Sequence, residues 1–198
     1  DNGCQDTENI AITEPTSLAA SVALDSNAAC NGVADGAATA SAVGGTVIGA
    51  YQFLWNDPSA QTNAAATGLA VGSYIVTITD DNGCQDTASI TITEPALLIA
   101  TATLDSNASC SGIADGAATA SALGGTVIGA YQFLWNDPSA QTNAAAIGLL
   151  SGTYIVTITD DNGCQDTASI TITEPVTLTA SIALDSNASC NGVADGGA

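Results

Sequence analysis

The 198-residue chain has no lysine, arginine, histidine or methionine, and against that absence it carries twenty aspartates and glutamates, a formal charge of −20. With no cation to set against a phosphate, the sequence excludes nucleic acid and an anionic membrane surface as partners. The missing histidine and lysine also remove the usual general bases. Asp80 and Asp81 form an adjacent carboxylate pair, but neighbouring strand residues point to opposite faces. The same pair would also recur in every repeat, which suits architecture better than turnover, so the chain reads as non-enzymatic. Aromatic residues are scarce, at 4 %. No apolar run approaches the roughly 20 residues of a membrane-spanning helix, so direct membrane insertion is not expected. No stretch shows a helical period.

What is present is repetition. The heptapeptide "DNGCQDT" occurs at 1–7, 81–87 and 161–167, and residues 1–80 match 81–160 at about four positions in five without a gap. The period is 80 residues. It divides the chain into the closing hairpin and strand of a preceding repeat (1–15), two whole repeats (16–95 and 96–175) and the start of another (176–198), and it reads as a window on a longer array. Glu14-Pro15, Glu94-Pro95 and Glu174-Pro175 mark the junctions, where proline stops strand pairing and stiffens a very short linker.

Within a repeat the patterning is that of strands. "GSYIVTITD" (72–80) and "TASITIT" (87–93) alternate apolar residues with Thr or Ser at period two, and each reads as a half-buried strand. The Asn82-Gly83 step between them predicts a tight hairpin with positive φ angles at both residues. Further strands are expected at 17–25, 37–43, 50–55 and 63–69. Six short strands with Gly, Asn, Asp and Pro turns predict an all-β fold of tandem β-sandwich repeats. Tyr51, Phe53 and Trp55 share one strand face and Tyr74 closes an L-x-x-G-x-Y corner with Leu69 and Gly72, both features of immunoglobulin-like sandwiches. The expected core is thin. Ala38, Ala40 and Ala42 face inward, and most of the hydrophobic stabilisation falls to Leu24, Tyr51, Phe53, Trp55, Leu69, Tyr74, Val76, Ile78, Ile90 and Ile92.

Six cysteines, Cys4, Cys30, Cys84, Cys110, Cys164 and Cys190, fall two to a period without any CxxC pair or histidine. This predicts disulfides in an oxidising, extracellular setting rather than zinc.

The pattern C-N-G-x-x-D-G, then GG, Y-x-F-x-W, G-L-x-x-G-x-Y-x-V-T-x-T-D-x-N-G-C and T-x-T-E-P resembles the SprB repeat of Bacteroidota cell-surface adhesins. In the first whole repeat it rests on Cys30, Asn31, Gly32, Asp35, Gly36, Gly44, Gly45, Tyr51, Phe53, Trp55, Gly68, Leu69, Gly72, Tyr74, Val76, Asp80, Asn82, Gly83 and Cys84. The segment "TVIGA" and the missing Gly after Trp in "WNDPSAQT" depart from it. The resemblance implies a long, secreted, array-forming protein at the cell surface, involved in attachment or gliding, with no catalytic residue. It also suggests O-glycosylation at Thr87 and Thr167, each in an Asp-Thr-Ala context. Asn107 and Asn187 lie in N-x-S sequons.

An immunoglobulin-like strand order places the loop after the first strand and the last hairpin at opposite poles of one repeat. Cys30 is then expected to pair with Cys164 of the following repeat, leaving Cys4, Cys84, Cys110 and Cys190 for repeats further along or for neighbouring chains. The alternative keeps the bonds inside each repeat, Cys30 with Cys84 and Cys110 with Cys164. Asp25, Asn27, Asn31 and Asp35 in one loop and Asp160, Asp161 and Asn162 on the hairpin tip offer oxygen ligands for calcium, the single cofactor considered. The expected function is an adhesin stalk or surface fibre whose partners are adjacent repeats of the same chain. A self-assembling filament built from other copies is the alternative. Sugar stacking on Trp55, and ice binding by the rows Thr77–Thr79 and Thr91–Thr93, are minor readings.

Overall fold

The computed structural model describes residues 2–197; Asp1 and Ala198, the outer ends of the first and last expected segments, lie outside it. The described residues form strands and no helix, so none is long and apolar enough to cross a membrane. The first whole repeat contributes β1 (Ala19–Ser26), β2 (Gly36–Val43), β3 (Gln52–Trp55), β4 (Ala65–Leu69), β5 (Gly72–Thr79) and β6 (Gln85–Ile92). The second contributes β7 (Ile99–Ser106), β8 (Gly116–Leu123), β9 (Gln132–Trp135), β10 (Ala145–Leu149), β11 (Gly152–Thr159) and β12 (Gln165–Ile172).

Two antiparallel sheets build each repeat, in the orders β1-β2-β4 and β3-β5-β6, and the second repeat restates them as β7-β8-β10 and β9-β11-β12. This is the two-sheet order of an immunoglobulin-like sandwich without its fourth edge strand. The chain is therefore a tandem of immunoglobulin-like β-sandwiches. By contact the residues fall into two compact units. The first runs to Ile99 and takes in Ala122–Tyr131 and Thr159–Asp166, which are a loop and the hairpin tip of the second repeat; the second holds the rest.

The alternation read from sequence sets which side chains meet between the sheets. Ala38, Ala40, Trp55, Ala66, Leu69, Tyr74, Val76, Ile78 and Ile92 form the buried core of the first repeat, with Val22, Ala42, Tyr51, Phe53 and Ile90 packed against it. Trp55 and Leu69 are each 1 % exposed. At roughly 1.5–3 kcal/mol for each large side chain taken fully out of water, these few residues outweigh the alanines of β2. The indole Nε1 donates to Asn63 O at 3.0 Å. Tyr74 Oη donates to Ala70 O, four residues upstream, at 3.0 Å, the hydrogen bond of a tyrosine corner. Gly36 is required by space, because a Cβ there would stand 2.6 Å from Ile92 Cγ2 and 2.9 Å from Leu69 O.

Leu24 departs from the expected core. It lies on an edge strand where the register shifts between Leu24 and Ser26, and it is 43 % exposed. The expected strand in 1–15 is not formed among residues 2–15, although "QDTENIAI" carries the β6 alternation; Ile10 and Ile12 are exposed. In each whole repeat the sixth strand pairs with the fifth. Residues 176–197 hold a single bridge, Ser186 with Gly197.

Candidate functional site

The candidate site is the joint where the loop after β1 meets the tip of the β11–β12 hairpin, both within the first unit. The loop is fixed locally. Ala28 N donates to Thr93 O at 3.0 Å and Asn27 Oδ1 accepts from Thr93 N at 2.9 Å, which anchors the loop beside the end of β6. Ala29 N donates to Asp35 Oδ1, and Cys30 O accepts from Val33 N. Glu94, at the Glu-Pro junction, accepts from Gly32 N at 2.7 Å and from Asn31 Nδ2 at 3.0 Å, while Pro95 O accepts from the same amide. The Glu-Pro pair therefore clamps the loop as well as ending the strand.

The hairpin tip is organised by two aspartates. Asp160 Oδ1 accepts from the N–H groups of Asn162 and Cys164, and its Oδ2 from Thr126 N at 2.7 Å. Asp161 Oδ2 accepts from Ile128 N and Gly129 N, which hold its carboxyl below the ordinary value. The "TVIGA" segment that departs from the SprB pattern is thus pinned to the tip by Asp161, as its first-repeat counterpart is by Asp81. The tip differs from the two-residue turn expected from Asn-Gly. Gly163 takes φ +84° while Asn162 has no positive φ, and Gly163 N donates to Asp160 O. This is a type I turn closed by one left-handed glycine, with aspartate in the first position that such turns favour.

At the joint Cys30 and Cys164 are disulfide-bonded, with S–S 2.02 Å and Cα–Cα 5.7 Å across a sequence separation of 134. Beside the bond, Asn162 Nδ2 donates to Ala29 O at 2.9 Å, and Leu98 is buried at 5 % exposure. The pairings Cys30–Cys84 and Cys110–Cys164 are not made; Cys4, Cys84, Cys110 and Cys190 are exposed thiols. Strand geometry gives the reason. The Cys30 loop sits at the Thr93 end of β6 and Cys84 precedes its other end. The eight residues between span roughly 27 Å, whereas a disulfide tolerates a Cα separation under about 7 Å.

All seven residues considered for calcium make hydrogen bonds within the protein, Asn31 and Asn162 as the donors described above. Asp25 Oδ2 accepts from Thr39 Oγ1, and Asn27, Asp35, Asp160 and Asp161 accept the backbone N–H groups named above. Among the described residues no three Asp, Glu or Cys side chains converge as a metal would need. Buried Trp55 presents no face for sugar stacking. The threonine rows do not lie side by side: Thr77 pairs with Thr87, whereas Thr91 lies opposite Ser73. Thr87 and Thr167 are exposed. Asp80 and Asp81 spend their oxygens on backbone N–H groups of their own repeat. The sequence does not announce the Glu94 clamp or the Asn162 bridge: from sequence Glu94 reads as a junction marker and Asn162 as a turn residue and calcium ligand.

Residues 26–60 and again residues 105–140 match the SprB repeat model. The chain carries SprB-type repeats. The matched stretch of each SprB-type repeat runs from the cysteine loop through the buried tryptophan to the turn beyond it. No curated protein matches the sequence. Among solved structures, a Dscam structure shares 13 % identity over 81 % of this chain and 47 % of its own, with TM-score 0.33, so the chain spans about half of that protein's length. Murine CEACAM1b shares 12 % identity over 78 % of this chain and 100 % of its own, with TM-score 0.31. A tetra-tandem repeat from the extending region of a large adhesion protein shares 13 % over 79 % and 49 %, with TM-score 0.27. The SprB repeat match describes a structural, adhesin-type repeat.

Proposed function

We propose that the chain is part of an extracellular stalk or surface fibre in which each SprB-type repeat is covalently fastened to the next. The observation that carries this reading is the Cys30–Cys164 bond, which joins the loop of one repeat to the hairpin tip of the following one. In the chain-entropy picture, closing a loop of 134 residues stabilises the folded state by about 5 kcal/mol, a large contribution where an 80-residue sandwich with an alanine-rich strand is marginal alone. A surface of one charge sign adds colloidal repulsion, and the absence of Lys and Arg removes every trypsin site.

Peptide mapping of native protein under non-reducing conditions, with a protease that cuts at Asp or Glu, is the test. A linked 30-to-164 peptide is expected; a 30-to-84 peptide overturns the proposal. Negative-stain microscopy separates this reading from the filament, since regular helical fibres favour the filament. Glycans on Thr87 and Thr167 would add to the bare polypeptide mass, and an intact mass equal to the sequence removes them.

A further inference from the structure

We infer that the Asn31–Gly32 step is a self-modification site, an asparagine poised to cyclise onto the next backbone nitrogen, and that Glu94 holds it unreactive. The reaction needs no other residue. The Gly32 nitrogen, stripped of its proton, attacks Asn31 Cγ; the bond from Cγ to Nδ2 breaks, and ammonia leaves carrying that proton away. Water then opens the succinimide, at Cγ to give aspartate or at the main-chain carbonyl to give isoaspartate. One water is consumed for each ammonia released. Glycine hinders such an attack least, having no side chain, and nothing lies within 4 Å of where a Cβ on Gly32 would stand. Asn31 and Gly32 are both exposed, so water reaches the ring.

One carboxylate restrains both reacting groups. Glu94 Oε2 accepts from Gly32 N at 2.7 Å and its Oε1 from Asn31 Nδ2 at 3.0 Å, while Pro95 O accepts from the same amide at 3.1 Å. Deprotonating Gly32 N beside that anion would set two negative charges 2.7 Å apart. The leaving amide is meanwhile held by both of its N–H groups. At the hairpin tips the same dipeptide meets neutral acceptors: Gly83 N donates to Asp80 O, Gly163 N to Asp160 O, and Asn82 Nδ2 to Thr46 Oγ1. A hydrogen bond to an ionised acceptor is roughly twice as strong as a neutral one, so the guard at Asn31 is the stronger. The second repeat keeps the clamp without the reactive amide, since Ser111 Oγ donates to Glu174 Oε1 at 3.2 Å and Gly112 N to its Oε2 at 2.9 Å. One loop design thus occurs once with the cyclising group and once without it.

The product cannot be clamped again. Aspartate or isoaspartate at position 31 carries an acceptor-only carboxylate where the amide donated to Glu94 and Pro95, and it faces Glu94 with like charge. The change is therefore one-way. An event that lifts the loop off Glu94 for long enough to cyclise leaves it unfastened there, one residue from the disulfide-bonded Cys30.

The test ages the full chain in mildly alkaline buffer below its melting temperature and reads conversion at each Asn-Gly step by peptide mapping, from the mass change of NH replaced by O. Asn31 is expected to convert far more slowly than in the same chain held in denaturant. E94Q, which keeps the shape and removes the charge, should speed conversion at Asn31 about tenfold, the factor that a hydrogen bond to a charged group sustains, while Asn82 and Asn162 keep their rates. In the second repeat S111N alone should stay slow, and S111N with E174Q should convert as E94Q does. For the released loop, N31D should lower the hydrogen-exchange protection of the Gly32 N–H about tenfold and leave that of Ala28 unchanged. Native Asn31 converting as fast as in denaturant, an E94Q rate equal to wild type, or E94Q speeding all three steps alike would overturn the guard. Unchanged Gly32 protection in N31D would overturn the one-way release.

Discussion

Asp57 shows how single carboxylates hold this cationless chain together. Burial works to raise its pKa, but the Gln61 N–H, the Gln61 side-chain amide and the Ser59 N–H together outweigh that and pull it below 3.8. The Thr46 N–H, followed by those of Cys84 and Asn82, lowers Asp80 against its burial, and the Ala20 N–H lowers Asp86. Groups with depressed native values bind fewer protons folded than unfolded, so their stabilisation is present above the unfolded value and is lost as pH falls through the native ones. The melting temperature in moderate salt is expected to be level from neutrality to about pH 5 and to drop below about 3.8. A melting temperature that rises in that range contradicts the assignment of these carboxylates. Trp55, 1 % exposed, is the largest side chain of its core. W55A should cost about 3–5 kcal/mol in denaturant unfolding of the first repeat, with Trp135 left as the fluorescent reporter of the second.

Among the elements, glycines in β2 and at the hairpin tip separate two kinds of constraint. G36A places a methyl group against Ile92 and the Leu69 carbonyl, and the overpacking should cost about 1–3 kcal/mol. G83A meets open space and pays only for left-handed backbone, about 1–2 kcal/mol. Chemical denaturation of both variants checks the contrast, and a Gly36 variant as stable as wild type would mean that β2 sits further from β4 and β6. The strands themselves were legible, because alternation at period two dictates which side of a sheet each residue faces. The expected 72–80 and 87–93 became β5 at Gly72–Thr79 and β6 at Gln85–Ile92. Leu24 was misread because alternation alone does not reveal a register shift on an edge strand. Asn82 was misread because an aspartate two residues earlier, accepting the N–H groups of Asn82 and Cys84, selects a longer turn than the Asn-Gly pair favours by itself. The Glu94 clamp was hidden for another reason: it joins residues more than sixty positions apart, which no local pattern encodes.

For the molecule as a whole, stripping divalent cations with a chelator is expected to leave the melting temperature unchanged, since the loop and tip carboxylates already accept backbone N–H groups. A fall on chelation would support calcium at Asp25, Asn27, Asp35, Asp160 and Asp161. The bond between Cys30 and Cys164 has a topological consequence. Every peptide bond between those residues lies inside a covalent ring, so hydrolysis of any one of them opens the ring without releasing a fragment. A chain nicked once by a glutamate-specific protease at Glu94 should keep its full mass on a non-reducing gel and divide in two when reduced. Where the same 134-residue step recurs every 80 residues, each ring begins before the previous one has ended. A single cut anywhere in the interior of such an array is then bridged by at least one ring, and the fibre parts only where every ring spanning one point has been cut or reduced.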